Sequence, residues 1–137
     1  MTVDVVDLET AWQLLREDPG AVLVDVRTEQ EWSGVGVPDL TSLAKVVHFV
    51  EWQLPTGAPN PDFLKWAITS LDPTQNTLLI CRSGARSQAA AEALVDAGFA
   101  YIHNVIAGFE GQPDPTGRRS GGWKGSGLPW THHQGRP

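Results

Sequence analysis

Two short stretches, AVLVDV at residues 21–26 and TLLIC at residues 77–81, are almost wholly apolar and carry β-branched residues. Runs of that kind make strands that are covered on both faces, because they leave no side to give to water. Each is followed by a helical pattern. TEQE at 28–31 has the spacing of a capping box and opens a short helix. Residues 87–97 form an alanine-rich helix with Ala89, Ala90, Ala93, Leu94 and Ala97 on the packing face. Ser87 can cap its start, and Gly98 stands at its end. Alternation of strand and helix predicts an α/β fold, a largely parallel central sheet with helices on both faces.

The rest of the chain fits that plan less evenly. VDLETAWQLLRED places Leu8, Ala11, Trp12 and Leu15 on one helical face, with Asp7 as N-cap and Pro19-Gly20 as the stop. From 33 to 59 the pattern is weak, with KVVHFV as a strand and QLPTGAPNP as a loop. Asn60-Pro61 then starts a helix with Leu64, Ala67, Ile68 and Leu71 facing inward, and YIHNV is a last strand. Residues 5–110 thus read as the domain. Residues 111–137 form a Gly- and Trp-rich tail that Trp123 and Trp130 are expected to pin to the body. Trp12 and Trp66 belong to the core or its margin.

The 137 residues carry a net charge of −6, which argues against a nucleic-acid surface. Residues 111–137 hold Arg118, Arg119, Lys124 and Arg136 against Asp114, a local +3 that leaves −9 on the remainder of the −6 total. A basic tail on an acidic body suggests docking of the one on the other. No apolar run is long enough for a bilayer, and the start carries acids where a secretory signal has a basic end. A cytoplasmic protein without membrane contact is expected. One cysteine excludes an internal disulfide and a thiol-only metal site. His132-His133 lack a third ligand, so neither metal nor cofactor is expected, and His103 is read as solvent-facing.

That cysteine, Cys81, closes the second apolar run and stands at the carboxyl end of a strand, where parallel sheets bind ligands. Residues 82–86 can curl around its sulfur with their N–H groups inward, and Gly84 allows close backbone approach. Helix N-termini and nearby cations such as Arg82 and Arg86 favour thiolate over thiol, which turns a weak nucleophile into an activated one. The alternative is a small buried hydrophobe, the usual state of a free cysteine.

LLICRSGARSQAAAEAL, residues 78–94, resembles the active-site loop and following helix of rhodanese-like sulfurtransferase domains. LVDVRTEQEW is similar to that family's Asp-x-Arg stretch with its acidic-aromatic pair, here Glu31 and Trp32. NVIAGFEGQ and GGWKGSGLPW resemble later stretches, the second as in some single-domain members. The resemblance implies that Cys81 accepts a sulfane sulfur as a persulfide and passes it to a thiophilic acceptor, cyanide or a thiol, with a protein acceptor as one form. It implies that the loop Arg82, Ser83, Gly84, Ala85, Arg86, Ser87 binds the substrate and cradles that sulfur. Arg82 and Arg86 would attract an anionic donor such as thiosulfate. Asp25 and Arg27 are expected to support the loop structurally. The region after the acidic-aromatic pair departs from the family pattern, which makes His48 and Trp52 candidates for the pocket mouth; an ordinary surface place for His48 is the alternative. Two other functions fit a Cys loop: a phosphatase or arsenate reductase, and a non-catalytic binding module. The first needs five residues between Cys and Arg to hold an oxyanion, whereas four separate Cys81 from Arg86. The second typically lacks the cysteine.

Overall fold

The two apolar runs lie side by side in the middle of the protein. In the computed structural model, which describes residues 2–133, the elements in chain order are β1 (Asp4–Val6), α1 (Leu8–Glu17), β2 (Val22–Asp25), α2 (Glu29–Val35), β3 (Val37–Pro38), a 3-10 turn (Thr41–Leu43), β4 (Val47–Phe49), α3 (Phe63–Ser70), β5 (Thr77–Ile80), α4 (Ala85–Asp96), β6 (Ile102–Val105) and β7 (Trp130–Thr131). Five strands form one sheet in the order β1-β6-β5-β2-β4, and every pair is parallel. β2 and β5 are its central neighbours, with Leu23 opposite Leu78 and Asp25 opposite Ile80. β3 and β7 pair separately as an antiparallel ribbon.

Side chains alternate across the sheet as the pleat requires. Leu79 and Cys81 join Val24, Val26 and Ile102 under α3 and α4, which contribute Phe63, Ala67, Ala90, Ala91 and Leu94. Leu78 and Ile80 turn to the other face, where Ala11 and Leu15 of α1 meet Leu23, Val105, Phe109 and Trp123. The fold is thus the α/β sheet with helices on both faces.

Local chemistry fixes the helix starts. The Asp7 carboxylate accepts the Thr10 N–H at 2.8 Å, and α1 stops before Pro19. Thr28 and Glu31 form a reciprocal capping box at α2. Other expectations need correction. α3 begins at Phe63, not at Pro61, so its buried stripe runs through Phe63 and Ala67 to Leu71, while Leu64 and Ile68 are 37% and 61% exposed. α4 begins at Ala85 with Gly84 at its cap, so Ser87 lies inside the first turn and caps nothing. Its buried stripe is Ser87, Ala90, Ala91 and Leu94; Ala89 and Ala93 are half-buried and Ala97 is exposed. An alanine run is apolar on every side and leaves the helical phase open. His103 does not face solvent. Its side chain is 12% exposed, with ring nitrogens 2.7 Å from Asp4 Oδ2 and 2.8 Å from Asn76 Oδ1.

The C-terminal segment lies on the α1 face. Trp123 is fully buried, edge-on to Trp12 at 6.0 Å, and its Nε1–H donates to the Pro129 carbonyl at 2.6 Å. Lys124 donates to the Val35 carbonyl at 2.8 Å and sits 4.3 Å over the Trp130 ring. Arg136 lies outside the described residues. Among the described residues, no helix is long and apolar enough to cross a membrane.

Candidate active site

Cys81 follows the last residue of β5, and the chain turns there into α4. The outer side of the turn is tied down. The Cys81 carbonyl accepts the Phe109 N–H at 2.8 Å, the Arg82 carbonyl accepts the N–H groups of Glu110 at 3.0 Å and Gly111 at 3.2 Å, and the Ser83 carbonyl accepts Gln112 Nε2–H at 2.7 Å. In a trans peptide the carbonyl and the next N–H point opposite ways. Fixing those three carbonyls therefore turns the N–H groups of Arg82, Ser83 and Gly84 to the inner side. The last of these donates to Cys81 Sγ at 3.1 Å.

Two glycines make this geometry possible. Gly84 has φ +100°, and a Cβ there would press on the Ile106 carbonyl oxygen at 2.5 Å. Gly108 has φ +71° and lies against the Arg82 carbonyl and the Ser83 nitrogen, with no room for a side chain. α4 has no side-chain cap, so the N–H groups of its first turn stay open toward the loop with the positive end of the helix dipole behind them.

Behind the sulfur lies a small polar network. Ser87 Oγ is 3.2 Å from Cys81 Sγ and 2.6 Å from Asn104 Oδ1. Asn104, on β6, is fully buried, and its Nδ2 donates to the Gly84 carbonyl at 3.1 Å and to Gln88 Oε1 at 3.0 Å. A carbonyl only accepts, so the amide orientation is fixed and Asn104 Oδ1 takes the Ser87 proton. The Ser87 oxygen then offers a lone pair to the S–H form of Cys81. A sulfur anion draws the hydroxyl proton back to itself.

The loop arginines are paired. Arg86 makes a two-point bridge to Glu31, at 2.7 Å to Oε1 and 2.9 Å to Oε2, and Arg82 Nε lies 3.2 Å from Glu110 Oε2. Burial pushes the Glu31 carboxyl up, but the Arg86 hydrogen bonds, the Thr28 N–H and the Arg86 charge outweigh it and bring its pKa down to about 2. Arg86 is raised in turn, first by its bonds to Glu31 against the opposing effect of burial, with the nearby Cys81 and Asp25 adding to the rise. Deeper in, Asp25 and Arg27 are both fully buried. Arg27 Nη2 reaches Asp25 Oδ2 at 2.7 Å and the Gly36 carbonyl at 2.9 Å, and its guanidinium stacks 4.3 Å from the Phe109 ring. Phe109, whose N–H bonds the Cys81 carbonyl, thus lies between this pair and the loop.

The turn gathers Cys81 through Ser87, with Cys81 only 1% exposed, Ser83 half-buried and Ala85 at the first helical position. His48 and Trp52 pack against α3, and Trp52 also lies against the buried cluster that contains Cys81. His48 packs 5.8 Å from Trp66, where burial lowers its pKa, and Trp52 stands edge-on to Phe63 at 5.2 Å. Asn104, Glu110 and Gln112 escaped the sequence reading, as did Glu31 as the Arg86 partner. The pairs they join are 16 to 55 residues apart along the chain, and no local spacing marks them. Among the described residues no cluster of three or more His, Cys, Asp or Glu is placed to hold a metal ion.

Residues 3–136 match the family described as the STR4 middle domain. The crystal structure of Rv0390 from M. tuberculosis is similar over 96% of this chain and 99% of its own, at 42% identity and a TM-score of 0.90. Two Arabidopsis thaliana proteins are relatives in sequence. Rhodanese-like domain-containing protein 17 is 33% identical over 108 residues, 78% of this chain and 66% of its own length. Thiosulfate sulfurtransferase 18 is 32% identical over 105 residues, 76% and 74%.

Proposed function

The chain belongs to the rhodanese-like family, and from that premise we propose that it is a sulfurtransferase that carries sulfane sulfur on Cys81. The observation that supports this most is the position of Sγ. It stands at a strand end and receives the Gly84 N–H at 3.1 Å, beside the uncapped first turn of α4. Those donors favour negative charge at the sulfur and at a second sulfur bound to it. Asp25 and Arg27 hold the loop in place. In the proposed cycle the Cys81 thiolate attacks the outer sulfur of the donor, the donor's S–S bond breaks, and the departing group keeps the electron pair. The resulting Cys81 persulfide is then attacked at its outer sulfur by a thiolate or cyanide, which restores the Cys81 thiolate. Both steps are displacements at sulfur, so no electrons are gained or lost overall and no cofactor is needed. The cycle also suits a chain with one cysteine, which has no internal thiol to discharge the persulfide.

Intact mass spectrometry after incubation with a sulfane-sulfur donor tests this directly. The wild type should gain one sulfur that reductant or cyanide removes. Cys81→Ser, nearly isosteric, should fold, gain nothing and turn over nothing. Sulfur uptake by the serine variant would rule out Cys81 as the carrier.

A further inference from the structure

We propose that the cleft between the end of α2 and residues 119–125 receives an acidic segment of the protein thiol that discharges the Cys81 persulfide. The proposal rests on the sulfurtransferase reading and names the class of acceptor. The cleft holds about 300 Å³ and is lined by Val35, Glu110, Arg119, Ser120, Lys124 and Gly125. It adjoins the Cys81 loop through Glu110, whose carboxylate lies 3.2 Å from Arg82 Nε and whose N–H is bonded to the Arg82 carbonyl. Its two cations are fixed in place without being neutralised. Arg119 Nη1 donates to the Gly111 carbonyl at 2.6 Å, and Lys124 Nζ donates to the Val35 carbonyl at 2.8 Å. Both acceptors are uncharged, and a guanidinium carries five N–H groups and an ammonium three, so donors remain for a carboxylate.

Among the described residues, Arg118, Arg119 and Lys124 form no ion pair. Of the carboxylates nearby, Glu110 is engaged by Arg82, and Asp114 accepts from the Thr116 hydroxyl and from the N–H groups of Thr116 and Arg118. Arg82, Arg118, Arg119 and Lys124 therefore outnumber Glu110 and Asp114 by two, on a chain whose total is −6. A positive patch on an acidic body steers and orients an acidic partner at this one face. No residue of the 81–87 loop lines the cleft, so a ligand must span the Arg82–Glu110 pair to hold the cleft and reach Sγ. A protein segment has that length and a small thiol does not. Cys81 is only 1% exposed, so the incoming cysteine must stand on a narrow, extended tip. Its thiolate attacks the outer sulfur of the persulfide, the bond to Sγ breaks, and Cys81 keeps the electron pair as thiolate. The acceptor leaves as a persulfide, and no oxidant or reductant takes part.

Three peptides of equal length, each with one cysteine flanked by glutamates, serines or lysines, serve as probes. Cys81 is loaded from a sulfane-sulfur donor, excess donor is removed, and intact mass follows loss of the bound sulfur to each peptide and to cyanide. Dividing each peptide rate by the cyanide rate, and each variant by the wild type, cancels the intrinsic reactivity of the thiols. Arg118 is exposed and joins its turn through its backbone, so Arg118→Glu reverses a charge and leaves the turn in place. It should slow discharge by the glutamate peptide about fivefold, the upper range for one exposed charge pair, and speed discharge by the lysine peptide. Arg119→Gln keeps a donor for the Gly111 carbonyl without the charge, and combined with Arg118→Glu it should slow the glutamate peptide about tenfold or more. High salt should remove most of the difference. The proposal is overturned if the glutamate and lysine peptides respond within about twofold of each other in both variants. The melting temperature checks folding, and where the double variant does not fold Arg118→Glu alone decides. Discharge of a loaded Cys81 by cyanide keeps the sulfurtransferase reading standing when the peptides fail to discriminate; no loading at all would remove both.

Discussion

Glu31 serves two elements at once. Its Oε1 accepts the Thr28 N–H that starts α2, and both of its oxygens hold Arg86 at the start of α4. This double use has a signature in pH. The carboxyl titrates at about 2 in the folded protein against 4.5 for a free side chain, so folding favours its ionised form. A carboxylate with a depressed pKa contributes stability above its unfolded value and loses it as pH falls through the folded one. The wild type should therefore exceed Glu31→Gln in unfolding free energy by up to roughly 3 kcal/mol at neutral pH. The gap should be constant above about pH 5.5 and shrink steadily toward pH 2. Urea unfolding at pH 7 and pH 3 measures it. An equal gap at both values would mean that the ion pair contributes nothing that titrates.

Between residue and fold, the element that shapes the site is a ladder of backbone rather than a helix or a strand. Residues 109–112 hold the carbonyls of the Cys loop, and the Trp123 and Lys124 N–H groups hold Gly108 and Phe109 in turn, at 2.9 and 3.0 Å. Gly108→Ala would push a methyl into the Arg82 carbonyl, whereas Gly117→Ala, at a similar φ of +86°, meets nothing within 4 Å. Both variants bear backbone strain of about 1 kcal/mol. Only Gly108→Ala should lose several degrees of melting temperature beyond that, together with most sulfur transfer; equal effects would show the close approach to be unimportant. Little of this ladder could be read from sequence. The central strands and α1 and α2 were legible because apolar runs and capping residues act within a few positions, and Cys81 was legible because it ends such a run. β1, β3 and β7 span only two or three residues and carry no period. The phase of α4 is set by contacts under it, since its alanines suit either side. Asn104 reads as an ordinary polar residue in a strand until α4 is laid against it.

At the scale of the whole molecule, residues 123–131 take the place of a helix. One face of the sheet lies under α3 and α4; on the other, α1 shares the cover with Leu40, Phe109 and Trp123. Burying a tryptophan of this size brings large apolar area out of water and adds the edge-on contact with Trp12. Trp123→Ala should accordingly cost roughly 3–5 kcal/mol. Removing residues 115–137 takes away more: Trp123, the partly buried Leu128 and Trp130 that pack beside it, and the two N–H groups that steady Gly108 and Phe109. The truncated protein should therefore melt well below the full chain or fail to fold cooperatively. Where it does fold, its sulfur uptake by intact mass should drop with the stability, because the ladder that orients the Cys81 loop has lost its outer rung. Calorimetry and mass spectrometry on the same sample separate the two effects. An unchanged melting temperature with full sulfur uptake would show that the segment lies on the body without supporting it.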